Sequence, residues 1–182
     1  RSGCRAASSF SGCISPAEFG DNKCLILDAP AELCAGSGPF DIDVWLTKSH
    51  TSLDCHGATI DQRYGVDTEV RRSGFRTPYE YSVSDIDIRN CTLRNIGRYG
   101  FDLKRFFRND AVERELDGPM IGHERISIYN VVIDHPRQMG VYVGQNSRDV
   151  SIDEVLIDHA FTGIYLEAGS TGTHVNHTVI YD

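Results

Sequence analysis

Apolar residues recur with period two in short runs along this chain, and the runs themselves recur. Arg125 to Gly144 reads "RISIYNVVIDHPRQMGVYVG" and Asp149 to Glu167 reads "DVSIDEVLIDHAFTGIYLE". Ile126, Ile128, Val131 and Ile133 align with Val150, Ile152, Val155 and Ile157, and Gly140 aligns with Gly163. Upstream, Ile88, Leu93 and Gly100 hold matching places, preceded by Leu53, Ile60 and Gly65. Downstream, Val175 and Ile180 repeat the first half of the unit. Strict alternation predicts strands with one buried face. The runs are short and rich in Val and Ile, which disfavours helices. Three such strands per unit, repeating at a near-constant interval, predict stacked self-similar coils.

The expected fold is therefore all-β, a right-handed parallel β-helix (a solenoid). A leucine-rich repeat would need Leu-x-x-Leu-x-Leu and a helical back half, which are not found. Stacking predicts one inward column of Leu53, Ile88, Ile128, Ile152 and Val175. It predicts another of Ile60, Leu93, Ile133, Ile157 and Ile180, with Asn90 and Asn130 stacked at a turn. The coils span residues 41–182. Residues 1–40 read as a Cys-rich N-terminal segment or cap. The sequence ends at "VIYD", partway through a coil. The expectation is an incomplete C-terminal end, with a partner chain or fragment completing the β-helix.

Cysteines change the picture next. Cys4, Cys13, Cys24, Cys34, Cys55 and Cys91 form an even set with no Cys-x-x-Cys pair. That argues against zinc and for disulfides in a secreted or periplasmic protein. Cys55 and Cys91 fall in successive coils, where they either pair or merely stack. The formal charge of −8 argues against a nucleic-acid partner held by phosphate contacts. No apolar run is long enough to span a membrane, so no membrane partner is expected.

Candidate chemistry sits on the third strand of each coil. If the residue after each glycine points inward, the next points out. The outward column is then Asp67, Asp102, Tyr142 and Tyr165. A second column is Glu69, Lys104, Gly144 and Glu167. Two long segments leave this face, residues 68–84 and 104–124. They carry Arg71, Arg72, Arg76, Arg105 and Arg108 with Phe75, Tyr79, Tyr81, Phe106 and Phe107. Arginine matches carboxylate geometry through paired N–H donors, and long loops in compact repeats tend to be functional. An acidic polysaccharide is the expected substrate. The competing reading pairs these arginines with Glu69, Glu80, Glu113 and Glu115. His135 and His159, each following an aspartate, form a further stack. They either continue a polar turn ladder with Gln62, Asn95 and Asp182 or share a metal.

The phrases "LDCHGATIDQ" and "ISIYNVVIDH" resemble the repeats of pectate-lyase-like β-helix proteins over roughly Ile42 to Asp182. Tyr99-Gly100-Phe101-Asp102 is similar to the start of the catalytic motif of mannuronan C5-epimerases. That motif continues Pro-His, where this chain has Leu103-Lys104. The resemblance implies a polysaccharide lyase or uronan C5-epimerase that removes the C5 proton of a uronate. Lys104 is then the base, as in β-helix lyases of the alginate and chondroitin type. Tyr99, Tyr142 or Tyr165 is the acid, and Arg71, Arg72, Arg76, Arg105 and Arg108 hold substrate. Asp102 orients the lysine. No cofactor is required, although Asp67, Glu69 and Glu167 form a candidate Ca2+ site. The alternatives are a β-helix glycoside hydrolase using Asp67 and Asp102, or a non-catalytic binding or adhesion protein.

Overall fold

The computed structural model describes residues 3–63, 72–105 and 121–181. Among these residues sixteen strands follow one another. They are β1 (Cys4–Ala6), β2 (Cys24–Ile26), β3 (Ala31–Glu32), β4 (Asp43–Trp45), β5 (Thr51–Asp54), β6 (Thr59–Asp61), β7 (Phe75–Arg76) and β8 (Ser84–Arg89). Then come β9 (Thr92–Arg94), β10 (Tyr99–Leu103), β11 (Glu124–Asp134), β12 (Met139–Val143), β13 (Ser151–Asp158), β14 (Thr162–Leu166), β15 (His174–Asn176) and β16 (Val179–Ile180). Among the described residues the helical pieces are two short 3-10 turns, Ala7–Ser9 and Pro16–Glu18.

Seven strands form one sheet in the order β1-β2-β4-β7-β10-β12-β14, and the other nine form a second sheet. Every strand pair is parallel, as repeated returns to one sheet from the same direction require. The N-terminal β1 and β2 lie in the same sheet as the repeats.

Register follows the hydrophobic pattern. Leu53, Ile88, Ile128, Ile152 and Val175 pair in succession, as do Ile60, Leu93, Ile133, Ile157 and Ile180. A third apolar column joins Leu25, Val44, Phe75, Phe101, Val141 and Ile164. The Phe75 and Phe101 rings stack at 4.7 Å with planes 7° apart. Each such fully buried side chain contributes about 1.5–3 kcal/mol relative to exposure. The first two columns emerge from the core at Val175 and Ile180, which are 45% and 51% exposed.

Gly74, Gly100, Gly140 and Gly163 occupy a tight corner. A Cβ on Gly140 would sit 2.6 Å from the Gly163 carbonyl oxygen and 2.7 Å from Ile157. Only glycine lets the third strand turn this close to the isoleucine column. Turn positions with positive φ hold Asn90 (57°) and Asn130 (50°), which tolerate the left-handed region better than most residues. Asn130 Nδ2 donates to Asn90 Oδ1 at 2.8 Å, and Asn90 Nδ2 donates to Asp54 Oδ1 at 2.9 Å. Gln62, by contrast, points inward as a latch: Nε2 donates to the Ile42 and Ser73 carbonyls while Oε1 accepts from Gly97 N–H.

All six cysteines pair: Cys4 with Cys24, Cys13 with Cys34, and Cys55 with Cys91. Each bond ties one layer of strands to the next. Three disulfides fit an oxidising compartment. No helix among the described residues is long and apolar enough to cross a membrane.

Candidate functional site

The outer face of the seven-stranded sheet carries the candidate site. Its register corrects one expectation. Phe101 pairs with Phe75 and Asp102 pairs with Arg76, so Arg76, not Asp67, is the neighbour of Asp102 on that side. On the other side Asp102 pairs with Tyr142, and Tyr142 pairs with Tyr165, as expected. The outward column is therefore Trp45, Arg76, Asp102, Tyr142 and Tyr165. Asp67, Glu69, Arg71 and Arg108 lie outside the described residues, as do Phe106, Phe107, Glu113 and Glu115.

The physical reason is core packing. Phe75 was expected in a loop, yet it is fully buried against Phe101 and carries Arg76 into the sheet. Burial of an aromatic ring outweighs the local likeness of residues 63–67 ("RYGVD") to residues 98–102 ("RYGFD"), the match behind aligning Gly65 with Gly100. Arg76 accordingly belongs to a strand rather than a loop. Its guanidinium lies 3.6 Å over the Trp45 ring, a cation–π contact, and its Nε is buried without a hydrogen-bond partner.

Asp102 is only 1% exposed. Tyr79 Oη donates to its Oδ2 at 2.8 Å, while Oδ1 is buried and unpartnered. Burial raises the Asp102 pKa, against the pull of the Tyr79 hydrogen bond and the charges of Lys104, Arg98 and Arg76. The Tyr79 hydroxyl is pushed up to about 12 by its own burial and by the adjacent carboxylate. A second buried carboxyl, Asp43, is likewise raised by burial. It accepts from Trp45 Nε1 at 2.6 Å and faces Arg72 Nη1 at 3.8 Å.

Lys104 lies in the next outward column, level with Gly144 and Glu167. Its Nζ donates to Tyr99 Oη at 3.4 Å and sits 4.1 Å from the Tyr142 ring centroid. Tyr99 and Tyr142 are buried, with rings 5.7 Å apart, and Tyr165 follows 5.0 Å beyond Tyr142. Burial and a hydrogen bond with Glu167 raise the Tyr142 pKa. Glu167 also accepts from the Gln145 backbone N–H at 3.0 Å. Among the described residues Glu167 belongs to no group of three metal-ligating side chains.

The other arginines serve different partners. Arg72 Nη2 pairs with Asp41 Oδ1 at 2.5 Å. Arg105 donates to Ser82 Oγ at 3.2 Å and to the Ile121 carbonyl. A shallow hollow of about 560 Å³ borders the site beside Asp43, Trp45 and Lys23.

Four contributors have no signature in the sequence: Asp43, Trp45, Arg98 and His123. Arg98 lies 4.7 Å from the Tyr99 ring. His123 is fully buried, and its Nδ1 accepts from Val83 N–H at 3.2 Å. Its Nε2 meets the Lys104 carbonyl at 3.0 Å; since a carbonyl only accepts, Nε2 carries the proton. Burial lowers the His123 pKa to about 4. A neutral imidazole thus fixes the backbone of Lys104.

No protein family matches the chain, and no curated protein matches it. Among solved structures, a proposed glycosyl hydrolase from Parabacteroides merdae aligns over 98% of this chain and 98% of its own. Its TM-score is 0.45 and its identity 9%, too low for fold or activity to pass from one chain to the other.

Proposed function

We propose that this chain is a right-handed parallel β-helix, exported to an oxidising compartment, that acts on an acidic polysaccharide by abstracting the C5 proton of a uronate. The observation that carries the reading is the Lys104–Tyr99 contact of 3.4 Å, one layer from the Trp45-stacked Arg76. Arg76 holds the substrate carboxylate and stabilises the charge that develops on it. The amine form of Lys104 takes the C5 proton, and the electron pair moves toward the carboxylate. In elimination the pair then forms a C4–C5 double bond while the C4–O bond breaks, and the Tyr99 hydroxyl protonates the departing oxygen. In epimerisation a proton returns to the opposite face of C5 instead, and Tyr142 is placed for that role. The pairing of Asp102 with Tyr79 fixes the floor beneath Arg76. The scheme as written needs no cofactor; Glu167, the described member of the candidate calcium site, accepts from Tyr142 and from the Gln145 N–H.

One observation favours a second reading, glycoside hydrolysis. Asp102 has a raised pKa and an unpartnered Oδ1, which suit a general acid. Product analysis on alginate, polygalacturonate, chondroitin and a neutral glucan separates the two. Ultraviolet absorbance of an unsaturated uronate, or an altered C5 ratio by NMR, lost in Lys104→Ala and Tyr99→Phe, supports proton abstraction. Reducing ends without either signal, lost in Asp102→Asn, supports hydrolysis. No change in any of the four polymers sinks both.

A further inference from the structure

Away from that face, the turn after the second strand of each layer places a different set of groups together. Asn95, His135 and His159 occupy equivalent positions, with φ of 49°, 53° and 53°. Backbone bonds stack them: Asn95 N–H donates to the Asp134 carbonyl and His135 N–H to the Asp158 carbonyl, both at 3.0 Å. The Asn95 side chain reaches back to Asp61 Oδ1 at 3.2 Å, as a polar ladder would have it. The two histidines do something else. Each turns its Nδ1 to the aspartate that precedes it, His135 to Asp134 at 2.5 Å and His159 to Asp158 at 2.9 Å. The two rings stack at 4.1 Å with planes 13° apart, and both side chains are about half exposed.

We infer that His135 and His159, clamped by Asp134 and Asp158, form a surface site for a borderline divalent transition metal such as Zn2+ or Cu2+. A carboxylate on one ring nitrogen fixes the tautomer and leaves the lone pair on the other, the usual support for a metal-bound imidazole. Here that support is present twice, one layer apart. Atoms able to hold a metal on Asp134, His135 and His159 lie within 4.8 Å of one another, with the two imidazoles as the protein ligands and Asp134 as the clamp. Ligand distances near 2.0–2.2 Å then require the rings to tilt toward one another, out of their parallel stack. Imidazoles select zinc, copper or nickel over calcium and magnesium, which favour oxygen ligands. The remaining coordination positions face solvent and take water. The ion joins layers whose histidines are 24 residues apart in sequence, so it acts as a clip between them. Arg94 Nε, 3.4 Å from Asp134 Oδ2, competes for that carboxylate.

Isothermal titration of the full chain with Zn2+, Cu2+ and Ca2+ at neutral pH tests the site. The expected result is one Zn2+ or Cu2+ per chain and no Ca2+ at this position. Cu2+ electron paramagnetic resonance should show coupling to two imidazole nitrogens. His135→Asn and His159→Asn each lower affinity by at least about tenfold, and the double variant removes the site. Asparagine suits these variants because Asn95 already holds the equivalent left-handed position. Asp134→Asn weakens binding by roughly tenfold by releasing the His135 clamp. In the wild-type chain, substoichiometric Co2+ should broaden the His135 and His159 ring resonances before those of other histidines, a measurement that needs no variant. Absence of Zn2+ and Cu2+ binding, unchanged affinity in the double variant, or broadening that starts elsewhere overturns the assignment.

Discussion

Acid should loosen this protein at one buried imidazole. His123 is neutral in the fold, with its pKa near 4 against an ordinary value of 6.5. Stability from a depressed pKa is fully present above the unfolded value and is lost as pH falls through the folded one. The window is therefore pH 6.5 down to about 4. At pH 5 the unfolded chain has taken up its proton while the folded chain has not, which costs about 2 kcal/mol; below pH 4 the loss approaches about 3 kcal/mol. Protonation leaves the Nε2–H bond to the Lys104 carbonyl intact but turns Nδ1 from acceptor into donor, facing Val83 N–H. Asp102 and Asp43 act in the opposite sense. Their raised pKa values favour the fold at low pH and lose that contribution as pH rises. A comparison is needed to isolate the imidazole. His123→Gln keeps a donor for Lys104 and does not titrate. Urea unfolding from pH 7.5 to 5 should show wild-type stability falling by about 2 kcal/mol more than that of the variant. Parallel profiles would refute the reasoning.

Two further perturbations report on the architecture. Gly140→Ala forces a Cβ against the Gly163 carbonyl and Ile157, and should cost about 1–3 kcal/mol, lowering the urea midpoint by roughly 1 M. For Gly163→Ala the three nearest atoms all belong to the half-exposed Ile180 side chain, so its midpoint should move much less; equal effects would contradict the corner geometry. Replacing Cys55 and Cys91 together by Ala opens a loop of 36 residues and should cost up to about 4 kcal/mol, read as a lower melting temperature. An unchanged melting temperature would show that the bond adds nothing beyond packing.

The inward columns were legible because alternation and repeat length over-determine them. A shift of one residue at Ile128 or Ile152 would turn every isoleucine out to water. Gly100, Gly140 and Gly163 were legible as corner markers for the same reason. The strand below β10 was not. "RYGVD" offered a better local match than "SGFRT", but register is decided by what fills the core, and Phe75 fills it. With that shift, Arg76 moved from a loop into the sheet and Trp45 joined it, while Lys104, Tyr142 and Asp102 stayed where alternation placed them. His123 carries no pattern at all. Its role arises from burial between two segments that meet only in three dimensions.

The layers need not be evenly spaced in sequence to stay in register. Phe75, Phe101, Val141 and Ile164 stack directly although the chain between them varies widely in length. Closing a longer excursion is cheap, about 0.6 kcal/mol for each doubling of its length. The column positions are thus fixed while the connections between them are nearly free to grow or shrink. Selection could lengthen, shorten or exchange these connections while the stacked columns keep their register, so surface and core can change separately in this architecture.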